Sequence, residues 1–564
     1  CYNMFTNLAI FIFSYLSIIL SVVGFGFLSA IVFNKLNISN NLGYFGLIGL
    51  FFLGIYSYFS SIFIKHTYFH NSVLLLIGLA SFLHYLIKNF RKFKPQIFHF
   101  LIIFFILFFS SLIFKMHDDF PYYHFPYSYI LTQNNLILGL GQLNLGFRTP
   151  SSLFYINSIF YLPYIKFYMF MMPAVLILGF VNNIIYEKLT NNIKINKINY
   201  ITYFSLLIFM FINIFFYRIA EHGTDKSAQI LIFLLVIEIL IFLSLYKIER
   251  KSLSKIYILI GLIISLKAFY ILYSVFVIIL LYKVLNSRHL KKGIFFFIKN
   301  IYFVPLVIFF ILIVGTYFFN TGCLIYPVSF TCLENFSWSI SKVEVIELNN
   351  WYEQWSKAGA GPNYRVDNPL EYISYFNWVV NWIDKYFFNK VSDFLLGILT
   401  LLIIVNILLF SSKKVKITFP KIKLLIFFLV ALLLEWFYNH PALRYGGYSL
   451  IVSIIFLFFA FRLNKYKLER IKFKKRVNIL ILITIIIFLG RNFKRISYEI
   501  EFYSYKPMDN INYMIKESYF DIPDLINNKI NNYELCLLKK QKCIDEGNLK
   551  IKKYFNNYIL YIEK

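Results

Sequence analysis

Residues 97–126 read IFHFLIIFFILFFSSLIFKMHDDFPYYHFP. The first part, 97–114, is apolar except for His99, Ser110 and Ser111, and is long enough to cross a hydrocarbon core of about 30 Å. Lys115 closes it, and Asp118 and Asp119 follow at once, flanked by His117 and His124 and by Phe120, Tyr122, Tyr123 and Phe125. The stretch is therefore a membrane span that delivers two adjacent carboxylates to the membrane–water boundary. Spanning lipid requires no acid there, so the pair points to chemistry.

Comparable apolar runs lie at 8–34, 43–64, 71–88, 166–186, 199–217, 229–246, 256–266, 269–284, 301–319, 391–411, 423–438, 448–463 and 477–490. With 59% hydrophobic and 15% charged residues among 564, the expected class is an all-α, polytopic integral membrane protein. About 13 or 14 spanning segments are predicted. The runs are continuous rather than alternating, which excludes an outer-membrane barrel. The runs 256–266 and 269–284 meet at Lys267 and read either as one long helix or as two short segments.

Charge decides between them. With two segments, the loops carrying Arg91 and Lys94; Lys188, Lys194 and Lys197; Lys247, Arg250 and Lys251; Lys291 and Lys292; and Lys465 to Arg476 all share one side, which the positive-inside rule makes cytoplasmic. Loops 115–165 and 320–390 and a polar tail, 491–564, then lie on the other side, beyond a membrane domain of residues 1–490. The formal charge of +29 is explained by these loops and by a Lys- and Asn-rich composition, and no nucleic-acid-binding motif accompanies it. The predicted location is a bacterial inner (plasma) membrane, with the acid cluster facing the periplasm or exterior.

Four of the five cysteines fall on that outer side: Cys323 and Cys332 in the second loop, Cys536 and Cys543 in the tail. Two disulfides are expected, since such bonds persist in oxidising compartments. Neither pair has the accompanying Cys or His residues of a zinc site. The opening residue, Cys1, reads as an internal start or a trimmed amino terminus.

Asp118 or Asp119 could take a proton from an attacking hydroxyl as general base, with His117 and His124 sharing the proton or orienting the acid. Tyr122 and Tyr123 offer flat faces to a sugar ring. The competing readings are a solvated interfacial loop with an aromatic belt, and a metal held by His117, Asp118 and His124. In the turn Ala220–Asp225, Glu221, His222 and Asp225 supply either a second acid for the substrate or a hydrated turn. Glu238 and Glu435 lie in or near spans, where acids are costly.

A polytopic chain with acids in its first large outer loop resembles the GT-C superfamily of glycosyltransferases, and His117-Asp118-Asp119 is similar in place and character to their catalytic acid. Residues 261–267 (GLIISLK), 320–327 (NTGCLIYP) and 440–448 (HPALRYGGY) resemble segments of bacterial members. The resemblance covers about residues 1 to 490 in architecture and omits the tail. It implies a polyprenyl-phosphate sugar donor, a glycan, lipid or protein acceptor, and an inverting displacement. The donor phosphate would need cations, for which Arg148, Lys267 and Arg444 are candidates, with Tyr445 beside them. No cofactor is certain; a divalent cation, Mg or Mn, fits the spare acids of such a site. The alternatives are an O-antigen-type polymerase, disfavoured by the few arginines in the outer loops, and a lipid-linked sugar flippase.

Overall fold

The computed structural model describes residues 2–32, 41–287, 290–361, 366–414, 422–466, 468–507, 515–539, 548–554 and 557–563, with the side chains of residues 2–6, 92 and 222 excepted. The protein is an all-α polytopic integral membrane protein. Every predicted apolar run contains a helix. We number the spans α1 (Tyr2–Val32), α2 (Leu42–Phe63), α3 (Tyr68–Arg91), α4 (Phe93–Ser111), α5 (Met172–Lys194), α6 (Tyr200–Phe215), α7 (Ile219–Ser244), α8 (Arg250–Leu266), α9 (Phe276–Asn286), α10 (Phe303–Thr321), α11 (Ser392–Leu409), α12 (Lys423–Asn439), α13 (Gly447–Lys465) and α14 (Arg470–Tyr503). Eleven helical segments among the described residues are long and apolar enough to cross a membrane, by length and composition; α9, at 11 residues, reaches that length only together with the turn of helix Ala268–Val275 before it, and α6, α8 and α12 are shorter, at 16, 17 and 17 residues.

Side-chain contacts fix the direction of the first helices. Ser21 and Gly24 of α1 meet Gly78 of α3, Phe27 meets Phe82, Tyr85 and Phe93, and Tyr15 meets Phe104 and Phe108. Thus α3 runs alongside α1 and α4 returns past it. The hydrogen-bonded run Tyr68–Ser111 folds sharply at Asn89, where Asn89 Nδ2 caps the Tyr85 carbonyl at 3.0 Å. Pro95, six residues on, lacks the N–H that a straight helix would use. The predicted loop near Arg91 is therefore a tight turn. At the Gly24–Gly78 crossing a Cβ on Gly24 would sit 1.8 Å from the Gly78 oxygen, so only glycine lets the two backbones approach this closely.

Two boundaries differ from expectation. Span 166–186 begins at Met172: Pro173 occupies the first turn, and the aromatic stretch before it forms a turn closed by hydrogen bonds between Leu162 and Lys166. The last span does not stop at 490, because α14 continues to Tyr503. Its extension is held by Arg495, whose Nη2 donates to the Phe109 and Leu112 carbonyls at 3.2 and 2.8 Å, and by Glu499, which accepts the Phe114 N–H at 3.2 Å. These bonds satisfy the orphan carbonyls at the end of α4.

The tail adds a helix, Asp521–Leu538, and strands β2 (Leu549–Tyr554) and β3 (Asn557–Ile562); β1 (Ile137–Leu138) comes from the first loop. The sheet order is β1-β3-β2, with β3 parallel to β1 and antiparallel to β2. Tail and first loop therefore share one face, here called the loop face. The predicted bridge Cys323–Cys332 forms in the second loop. Cys543 lies outside the described residues, so the second predicted pair has only Cys536 described, half-buried on the tail helix.

Candidate functional site

The helix α8 ends at Leu266, and Lys267 is extended (φ −166°, ψ 147°) before a 3-10 run, Ala268–Val275, leads into α9. The two-segment reading holds, and the break delivers the Lys267 ammonium to the loop face. There its Nζ meets Asp225 Oδ1 at 3.0 Å. Arg444 donates from Nε to Asp225 Oδ2 at 3.0 Å and from Nη2 to Asp119 Oδ2 at 3.1 Å. Four charged groups from four separate segments thus form one chain: Asp119, Arg444, Asp225, Lys267.

The loop bearing Arg444 is fastened at almost every peptide. The Pro441 carbonyl accepts from Trp382 Nε1 (3.1 Å), the Ala442 carbonyl from Trp436 Nε1 (2.9 Å), and the Leu443 N–H donates to the Tyr386 hydroxyl (2.8 Å). The Arg444 carbonyl accepts from Gln229 Nε2 (3.0 Å) and from the Tyr270 hydroxyl (3.2 Å). Gly446 then turns the chain with φ +106°, a conformation that excludes most other residues, and starts α13. The arginine is therefore pre-positioned.

An aromatic wall backs the cations. The Arg444 guanidinium lies 5.6 Å from the Trp355 ring centroid and 5.6 Å from that of Tyr445, and the Lys267 ammonium lies 4.9 Å from that of Tyr445. Trp355 stands edge-on to Tyr445 at 6.0 Å. The second loop contributes Trp355 here, whereas Trp378 and Trp382 are buried against Phe437 and serve packing.

The two aspartates of the first loop part company. Asp118 is exposed and takes no part in the chain of charges. Asp119 keeps 29% of its side chain accessible and engages the protein through Oδ2. Burial pushes its carboxyl up, but the charge and hydrogen bond of Arg444 outweigh that and hold it below the usual carboxylate range. Burial likewise opposes the charge on Arg444, yet Asp225, Tyr445 and Asp119 more than offset it, so the guanidinium stays charged.

The histidines have different stations. His117 Nδ1 accepts the Asp119 N–H at 3.1 Å and lies 3.5 Å from Asp119 Oδ2. His124 is buried beneath, edge-on to Tyr123 at 4.3 Å and against Phe154 at 5.0 Å. Burial holds it down at about 3, so it is neutral and supports the site by packing rather than by carrying a proton. Tyr123 packs its ring onto Gly146, where a Cβ would lie 2.3 Å away. Burial and the Asp119 charge push its phenol up, so it remains a hydroxyl donor. Tyr122 is exposed at the rim.

Arg148 is elsewhere. Its Nε donates to the Gly141 carbonyl (2.9 Å), Nη1 to the Tyr326 hydroxyl (3.4 Å) and Nη2 to Glu344 (2.6 Å). The Nε bond braces the first loop internally, and the two terminal nitrogens clamp it to the second. Asp225 corrects the expectation of a hydrated turn: it is 6% exposed, one turn into α7 beyond a kink at Gly223, and joins two cations. Gln229 and Tyr270 were not foreseen; their only signal was polarity within apolar runs. Glu238, at the opposite face, is taken by Lys188 and by the Tyr44 hydroxyl (2.5 Å). Among the described residues no three His, Cys, Asp or Glu side chains gather to hold a metal ion.

The family described as a domain of unknown function (DUF8201) matches residues 8–451, which include all four members of the charged chain. The chain belongs to the DUF8201 family. The match ends inside α13, so α14 and the tail lie outside the DUF8201 region. No curated protein and no solved structure matches the chain.

Proposed function

We propose that this DUF8201 protein is a membrane glycosyltransferase that moves a sugar from a polyprenyl-phosphate carrier to an acceptor hydroxyl at the loop face. The acceptor is a glycan, lipid or protein. The observation that carries this reading is the chain Asp119–Arg444–Asp225–Lys267: an ionised, partly accessible carboxylate on a guanidinium that Asp225 ties to a second cation, beside aromatic faces. Asp119 has one carboxylate oxygen on Arg444 and can offer the other to a hydroxyl. The acceptor oxygen attacks the anomeric carbon, its proton passes to Asp119, and the bond to the carrier phosphate breaks with its electron pair. Arg444 and Lys267 steady the departing phosphate, and one-step displacement inverts the anomeric centre.

Donor binding also tunes the base. A phosphate drawn to Arg444 competes with Asp119 for the guanidinium, so the carboxyl regains proton affinity when the donor arrives. Asp225 keeps both cations in place meanwhile. The basic loops opposite support a loop face directed away from the cytoplasm, and we propose a bacterial plasma membrane.

A lipid-linked sugar flippase is the second reading, favoured by one observation: α8 and α9 form a helix broken at Lys267, as in transporters. Purified protein given a labelled polyprenyl-phosphate sugar and candidate acceptors separates the two. Glycosyl transfer releases polyprenyl phosphate in proportion to product, and long products would mark a polymerase. Movement of intact label between leaflets, with no bond broken, would refute the enzyme.

A further inference from the structure

On the same face, the turn between α6 and α7 gathers three cations near Glu221. Lys226, from the first turns of α7, lies 5.8 Å from the Phe216 ring centroid. Arg491, from α14, lies 4.2 Å from the centroid of Tyr217 and donates to the Ile214 carbonyl at 2.6 Å. Arg218 follows in the chain and grips Glu221, its Nη2 reaching Oε1 at 2.5 Å. Lys226 is close enough to Glu221, Arg218 and Arg491 to interact with all three electrostatically, so the cations held by residues 216, 217 and 218 form one group. Arg218 is one-third exposed and Arg491 is exposed, so the group opens outward.

This is an unusual place for positive charge, since basic residues of the membrane domain otherwise concentrate at the opposite face. Glu221 is paired with Arg218, and Asp225, which Lys226 also feels, is engaged by Lys267 and Arg444; the three cations outnumber these carboxylates and repel one another, and a phosphate would relieve that repulsion. The turn joins two membrane-spanning helices, so lipid headgroups share this boundary with the cations, which suits a lipid-borne phosphate better than a free ion.

We propose that Arg218, Lys226 and Arg491 bind the phosphate headgroup of an anionic lipid in the leaflet on the loop face. The site is separate from Arg444 and Lys267 and does not depend on the glycosyl-transfer reading. The test is lipid retention. The full chain is reconstituted in equimolar phosphatidylglycerol and phosphatidylcholine, extracted into detergent, and its bound lipid counted by native mass spectrometry. Wild type should retain phosphatidylglycerol selectively. Lys226→Gln and Arg491→Gln should each lower that retention about fivefold, and Lys226→Arg should restore it, with thermal unfolding near wild type showing that the fold persists. Equal retention of both lipids by wild type, or unchanged selectivity in well-folded glutamine variants, would overturn the proposal. A further arm adds inorganic phosphate: displacement of lipid only at high concentration supports a lipid-borne ligand, whereas saturable phosphate binding without lipid selectivity refutes it.

Discussion

Asp225→Asn is the sharpest perturbation of the charged chain. The substitution keeps the shape but removes the charge that serves Arg444 through Oδ2 and Lys267 through Oδ1, both at 3.0 Å. It also aims an amide N–H₂ at one of the two cations. Asp119 is then the only carboxylate of the chain left to face both. Orphaning a fully buried charge costs about 3–5 kcal/mol. Arg444 and Lys267 keep 33% and 19% of their side chains accessible, so water recovers part of this. A loss of about 2 kcal/mol is expected. The assay is thermal unfolding of detergent-solubilised protein at one scan rate, because unfolding of such a chain is kinetically controlled. Arg444→Gln should destabilise by about 1–2 kcal/mol. The double variant should fall short of the sum by about 1–2 kcal/mol, since each single change already breaks the shared contact. Additivity to within about 0.5 kcal/mol, or a silent Asp225→Asn, would show that the chain of charges is not a coupled unit.

Other consequences are read more simply. His124 is neutral when folded down to about pH 3, whereas the unfolded imidazole protonates near about 6.5. The unfolded state therefore binds the extra proton between these values, and stability falls with acid across that window. His124→Phe should flatten this acid slope in pH-dependent melts; an unchanged slope would contradict the buried, neutral assignment. Asp119 has a depressed carboxyl, so its stabilising contribution is present above the unfolded value of about 3.9 and disappears only as pH falls through the lower folded one. Before donor binding, then, an acid limb in donor affinity should lie below the ordinary carboxylate range, and a limb near pH 6 would point to another group. Cys323→Ala/Cys332→Ala opens a bridge with a sequence separation of 9 and should cost about 2–3 kcal/mol, seen equally when wild type is melted with reductant. Insensitivity to reductant would mean that the bond does not form in solution.

The spans were legible because a hydrocarbon core imposes one rule on every crossing segment, and residues such as Phe27, Phe104 and Phe180 obey it without reference to their partners. The helix break at Lys267 was legible for the complementary reason: a lysine inside an apolar run must face a cavity or a boundary. Asp119 could be selected only as one of an adjacent pair, because nothing local says which carboxyl turns inward. That choice is made by Arg444, 325 residues away in the chain. Asp225 was undervalued for the same reason, with partners 42 and 219 positions distant. Arg148 looked available because Glu344, which captures it, is 196 positions away. The tail strands escaped because β3 gains its edge partner, Ile137–Leu138, from the first loop rather than from the tail itself. Helical crossings are local properties; ion pairs and strand partners are long-range ones.

The most direct measurement of the central claim compares Asp119→Asn with Asp118→Asn in the release of polyprenyl phosphate from a labelled lipid-linked sugar. Asp119, held by Arg444, should lose about 10²–10⁴ in rate when its carboxylate is removed, while exposed Asp118 should stay within about twofold, as surface substitutions ordinarily do. Wild-type turnover by well-folded Asp119→Asn would contradict the account.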